Sequence, residues 1–152
     1  MRKNILAIVL TLGVGLLGSM VTRPGIESWY QGLNKSPLNP PNWVFGPVWT
    51  VLYVLMGLAL GWVWNQKTKL VKLKAYLLFF IQLGLNFLWS LVFFGYHSPT
   101  LALGVIIVLG LVILLTIIEF RKISRVAAYM LIPYLAWVTF AAYLNWEVVR
   151  RN

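Results

Sequence analysis

The sequence predicts an all-α membrane protein: a bundle of five transmembrane helices with a long Pro- and Trp-containing loop between helices 1 and 2. Three observations predict it. Of 152 residues, 61% are hydrophobic and only 11% charged, against about 25% charged in average usage. Five apolar runs, approximately 4–22, 45–64, 75–94, 100–118 and 127–148, each approach the roughly 20 residues that a helical span needs. The basic residues behind the net charge of +10 lie between or beyond those runs. So little chain is left over that residues 1–152 read as a single transmembrane domain.

The placement of charge also predicts an orientation. Lys67, Lys69, Lys72 and Lys74 share one connector, and Arg121, Lys122 and Arg125 another. That is the pattern of cytoplasmic loops beside anionic headgroups. A cytoplasmic amino terminus adds Arg2 and Lys3 to the same side and leaves Arg23, Lys35, Arg150 and Arg151 opposite. The long loop is then outside. No span offers a basic groove, which argues against nucleic acid as a partner. The partner implied is the lipid bilayer.

Chemistry is sparse. Without cysteine there is no disulfide framework and no thiolate. Glu119 and Glu147 fall at helix ends and Glu27 in the long connector. No carboxylate pair sits within a span, and nothing has the spacing of a metal site or of hydrolytic machinery.

Along the chain, Arg2-Lys3 and the apolar residues after them resemble a signal peptide, but the apolar stretch outruns an h-region and no A-x-A site follows. It is read as span one. Ala7, Thr11, Gly15 and Ser19 recur every four residues and form a stripe on which a neighbouring helix can pack closely. In the connector 23–46, Trp29 and Tyr30 read as interfacial anchors. Pro37, Pro40 and Pro41 impose an extended approach to span two. Pro47 is expected in its first turn, where a missing N–H costs nothing. Trp49 and Tyr53 lie four apart on one face. Gly57 and Gly61 form a weak helix-contact motif, and Trp62 and Trp64 close the span at headgroup level.

Span three carries Gln82, Asn86 and Ser90 at four-residue steps, with Trp89 beside them. Amides in hydrocarbon need partners. They are read either as helix-to-helix hydrogen bonds, worth about 0.6 kcal/mol each, or as polar contacts in a pocket. His97, the only histidine, sits in a tight connector; it is read as interfacial, with axial haem ligation as the alternative. Span four is aliphatic and carries no chemistry. In span five Pro133 is expected to kink the helix, and Tyr134, Trp137, Ala141 and Asn145 share a face. Two rings beside a small alanine make a surface with a recess. Helix rise puts Asn86 and Trp137 near the membrane middle, with Trp49 and Trp89 roughly 6–9 Å nearer the long loop. Indoles so deep need a partner. The convergence predicts a cavity under a lid, suited to a flat, largely apolar ligand.

Residues 40–49, Pro-Pro-Asn-Trp-Val-Phe-Gly-Pro-Val-Trp, with Leu52-Tyr53, resemble the signature of the tryptophan-rich sensory protein/translocator protein (TspO/MBR) family, also called the peripheral benzodiazepine receptor family. Residues 85–90 with Phe93-Phe94, and residues 131–145, resemble two further segments of it. The resemblance covers the whole chain and implies a prokaryotic-type member: a five-helix protein of the cell membrane, a homodimer, binding protoporphyrin IX, haem, sterols, isoquinoline carboxamides and benzodiazepines. It implies no obligatory cofactor and no metal; protoporphyrin IX or haem enters as ligand. The family pocket maps onto Pro41, Trp43, Trp49, Tyr53, Asn86, Trp89, Trp137 and Ala141. Trp49 and Trp137 match tryptophans linked in bacterial relatives to light-dependent porphyrin breakdown, and Ala141 a position whose enlargement affects ligand binding in the animal form. Leu38 stands where many members have an aromatic. The carboxyl-terminal sterol motif is incomplete, since six residues separate Tyr143 from Arg150.

The function expected is a membrane receptor or sensor that binds porphyrins beneath loop 1 and aids their transport. The alternative is a light- and oxygen-dependent enzyme that degrades bound protoporphyrin IX through Trp49 and Trp137. Against a dedicated transporter, no charged midplane route, broken helix pair or internal repeat is visible. A purely structural subunit would leave the clustered deep indoles without a reason.

Overall fold

The computed structural model describes residues 1–68 and 72–152. Lys69, one of the lysines in the predicted cytoplasmic connector, lies outside the described residues. Those residues form helices α1 (Arg2–Ser28), α2 (Asn42–Asn65), α3 (Leu73–Ser90), α4 (Pro99–Ile123), α5 (Arg125–Met130) and α6 (Ile132–Arg151), with a 3₁₀ turn at Tyr30–Gly32 and a π-turn at Leu91–Gly95. Taking α3 with its π-turn, and α5 with α6, five helical segments are long and apolar enough to cross a membrane. No strand is present among the described residues. Neighbouring contacts run α1, α2, α5–α6, α4, α3 and back to α1.

α4 shows why the bundle closes on itself. Ala102, Ile106, Leu109, Ile113, Thr116 and Phe120 are buried at alternating steps of four and three, the period of one helix face. Leu101, Ile107, Val108, Leu111, Leu114 and Ile118 are exposed on the outside. An apolar face of that extent is a membrane-facing surface, not one for water.

α1 and α2 meet along small residues. The α-carbon of Ile8 stands 2.5 Å from where a Cβ on Gly57 would lie, and that of Asn4 2.8 Å from the equivalent point on Gly61. The Thr11 hydroxyl, buried in the same seam, donates to the Tyr53 carbonyl at 2.7 Å. Nearer the long loop, α1 packs against the π-turn instead, with the Phe94 carbonyl 2.6 Å from the Cβ position of Gly25. Closed below and diverted above, α1 leaves a gap beside the first turns of α2.

Three expected boundaries moved. α1 continues past Thr22 and through Pro24 to Ser28, about 40 Å of helix, so Glu27 belongs to it. Pro47 is inside α2, not in its first turn, because Pro41 with ψ 147° is the last extended residue and Asn42 begins the helix. Pro47 therefore leaves the Trp43 carbonyl without its usual N–H partner. The fifth span is interrupted: α5 ends at Met130, Leu131 takes φ −90° and ψ −10°, and Pro133 stands at the first positions of α6, which suits a ring lacking an N–H.

Tyr30 also departs from the interfacial reading. It is buried, and its hydroxyl donates to Asn39 Oδ1 at 2.9 Å. Burial pushes that hydroxyl's pKa up. Trp29 stacks on His97 at 4.6 Å between ring centroids. His97 is exposed and, at φ 53°, is the only non-glycine residue in the left-handed region among those described.

Candidate functional site: an aromatic chamber between α1, α2, α3 and α6

A cavity of about 760 Å³ lies in the gap, within the range of small-molecule sites. Each wall has a reason in the sequence. α2 contributes Trp49 and Tyr53, successive turns of one face, with Phe45 above them. α3 contributes Asn86 and Trp89, and its π-turn brings in Phe93 and Phe94. The π-turn closes with the Tyr96 amide donating to the Leu91 carbonyl at 2.9 Å. That extra residue rotates the end of the span so that consecutive phenylalanines both reach the wall. α6 contributes Trp137, Ala141 and Asn145.

Seven of the eight residues expected from the resemblance therefore line one space: Trp43, Trp49, Tyr53, Asn86, Trp89, Trp137 and Ala141. Trp43, 75% exposed, stands at the mouth. Pro41 does not line the space; it sets where α2 starts. Nor does the rest of residues 31–41 contribute a wall. The loop is strapped down at the carboxyl-terminal end of α6 instead: Ser36 and Tyr143 hydroxyls share a hydrogen bond of 3.1 Å, and the Asn34 amide donates to Asn152 Oδ1 at 3.1 Å. Leu38 points away and is 65% exposed. Tyr30 and Trp43, on either side of the loop in sequence, line the chamber, whereas its prolines do not.

The polar stripe of α3 splits into roles. The Tyr53 hydroxyl donates to Asn86 Oδ1 at 2.9 Å, Asn86 Nδ2 to the Tyr134 hydroxyl at 2.8 Å, and that hydroxyl to Gln82 Oε1 at 2.7 Å. Three spans are thus joined by one chain of hydrogen bonds forming the chamber floor. Trp89 Nε1 donates to Asn145 Oδ1 at 3.0 Å, and Asn145 Nδ2 to the Pro99 carbonyl at 2.8 Å. Both amides are spent on the scaffold. Trp137 differs: its Nε1 is the one buried side-chain polar atom without a hydrogen-bond partner among the described residues. Its ring is held edge-on by Phe45 at 6.1 Å.

The reading from sequence missed the α1 wall. Leu12, Gly15, Leu16, Ser19, Thr22 and Arg23 all face the cavity. The small-residue stripe was the available signal, and it has two uses: Ala7 and Thr11 are buried in the packing seam, while Gly15 and Ser19 line the chamber.

A profile of the TspO/MBR family matches residues 7–151. The chain belongs to the TspO/MBR family. Among TspO/MBR relatives, the tryptophan-rich protein TspO of Archaeoglobus fulgidus is 42% identical over 155 aligned positions, covering 99% of this chain and 97% of that protein. The tryptophan-rich sensory protein of Cereibacter sphaeroides is 40% identical, covering 83% of this chain and 78% of the relative. The translocator protein of Bos taurus is 35% identical, covering 91% and 83% respectively. Family membership and five helices able to span a bilayer make this a multi-pass membrane protein.

Proposed function

We propose that this protein is an integral membrane receptor or sensor that binds porphyrins, protoporphyrin IX or haem, in the chamber between α1, α2, α3 and α6, and that it aids their movement. One observation carries the reading: the chamber combines indole and phenyl walls with a buried, unpartnered Trp137 N–H. Stacking surface suits a flat ring system, and the indole N–H of a lining residue is committed to no acceptor among the described residues. The names of the relatives, sensory and translocator, agree with it. Segregation of Arg2, Lys3, Arg121, Lys122 and Arg125 from the loop end supports the amino-terminus-in orientation, with the mouth on the outer side of a prokaryotic cell membrane.

The test is quenching of intrinsic fluorescence by protoporphyrin IX in the purified, detergent- or nanodisc-held protein. Ala141→Phe puts a ring where the recess lies and is expected to abolish saturable quenching while the melting temperature is kept. Trp137→Phe keeps the ring and loses the donor, and is expected to weaken affinity about five-fold, the worth of one neutral hydrogen bond. Wild-type affinity in both variants would remove the chamber as the site.

A second reading, photo-oxidative degradation of the bound porphyrin, is favoured by Trp49 and Trp137 lining the same space. Under illumination in air, bleaching of the bound porphyrin is then expected to slow in the Trp49→Phe/Trp137→Phe double variant at equal occupancy. Equal bleaching would discard this reading and leave the receptor.

A further inference from the structure

The chamber wall carries one charged residue, Arg23. It follows Ser19 and Thr22 on the cavity-lining face of α1 and, like Trp43, is both a lining residue and exposed, which puts it toward the mouth. Its neighbours on that face are already committed to their own backbone: the Ser19 hydroxyl donates to the Leu16 carbonyl and the Thr22 hydroxyl to the Gly18 carbonyl, each at 2.8 Å. The ion pairs among the described residues join Glu119 to Lys74 and Lys122, and Glu147 to Arg150 and Arg151. Lys35 Nζ is taken by the carbonyls of Tyr30 and Leu33. Arg23 is in none of these, and Glu27, one turn further along α1, is not paired with it. Every other cation of the loop end has a partner. The one that borders the chamber has none among the described residues.

We infer that Arg23 is the anion anchor of the chamber, pairing with a carboxylate on the rim of the ligand while the ligand's apolar body lies among the rings. This rests on the proposed porphyrin reading and narrows its ligand to amphiphiles with a flat apolar body and a carboxylate edge. The guanidinium suits this geometry because its fork accepts a planar carboxylate through two parallel hydrogen bonds. Low dielectric on the chamber side strengthens the pair relative to one in open water. The anchor also sets direction, with the charged edge held at the mouth and the rings leading inward.

The experiment compares protoporphyrin IX with its dimethyl ester, which has the same rings and no ionised carboxylate. Both are titrated against wild type, Arg23→Gln and Arg150→Gln in nanodiscs of phosphatidylcholine alone, so that no anionic lipid competes. Arg150 lies at the same end of the bundle but outside the chamber lining. The expected result is that wild type prefers the acid to the ester about tenfold, the scale of a charge-assisted hydrogen bond. Arg23→Gln should erase that preference by weakening the acid alone, and Arg150→Gln should leave it in place. Equal binding of acid and ester by wild type overturns the inference while the receptor reading survives. So does a loss in Arg23→Gln that is shared by the ester, as expected if the guanidinium serves a lipid phosphate or only the helix. A loss as large in Arg150→Gln assigns the preference to the general field and overturns it too. If neither porphyrin binds wild type, the receptor reading fails and this inference with it.

Discussion

Gly57→Val is expected to give the largest loss of stability of any single substitution in the α1–α2 seam. The added Cβ alone would stand 2.5 Å from the Ile8 α-carbon and 2.8 Å from its amide nitrogen. Both are backbone atoms, which no rotamer change can move aside. The third neighbour is the Thr11 hydroxyl, also at 2.8 Å, so the new side chain would displace the group that bonds the Tyr53 carbonyl. The helices must separate, and overpacking of a tight contact costs about 1–3 kcal/mol or more. Loss of the Thr11 hydrogen bond adds about 1 kcal/mol. The consequence reaches the chamber, because the seam holds Tyr53 and Gly15 against each other at its lower edge. Thermal unfolding in detergent would show the effect as a melting temperature well below wild type. Gly13→Ala is the control, since nothing lies within 4 Å of its Cβ position. Equal melting of Gly57→Val and wild type would mean that α1 does not pack on α2 in this way.

That seam shows what a sequence of this kind discloses. Spacing alone put Ala7, Thr11 and Gly15 on one face and joined Gly57 to Gly61, because helical period and side-chain size are local properties. Which helix fills the stripe is not local. The α1 wall went unread for the same reason: Leu12, Thr22 and Arg23 are unremarkable until α1 crosses from α2 to the π-turn, where Gly25 meets Phe94. The π-turn itself leaves no mark in residues 91–95, since a single inserted residue in an apolar run changes neither composition nor hydropathy. Pro41 is extended, as expected of the approach to span two, but it is Pro41 and not Pro47 that marks where the helix starts. A proline's missing N–H fits a first turn, but the ring is also tolerated further in where the freed carbonyl lies at an open end. Deep aromatics and amides on spans two, three and five were legible because polar or bulky residues inside an apolar run must find partners. The partners themselves, Tyr134 above all, were not.

Asn86→Leu is expected to damage fold and chamber together. Leucine keeps the branching at Cγ, but it removes both hydrogen bonds that the amide makes across the bundle, from the Tyr53 hydroxyl and to the Tyr134 hydroxyl. Tyr134 retains Gln82 as acceptor; Tyr53 retains nothing. A buried hydroxyl left unpaired costs about 1–3 kcal/mol. The Tyr53 ring, 5.9 Å from Trp49, is then free to turn for its lost partner, and porphyrin affinity should fall along with melting temperature. Scaffold damage and loss of a direct ligand contact can be separated by adding Tyr53→Phe. If the amide serves the scaffold, removing the stranded hydroxyl restores much of the stability and the affinity with it, because deleting both ends of a buried hydrogen bond costs far less than deleting one. If the amide touches the ligand, stability returns and affinity does not. A double variant no more stable than Asn86→Leu alone would show that the Tyr53–Asn86 bond does not hold the chamber floor. Asn86 would then have to be reassigned from the frame of the site to its surface.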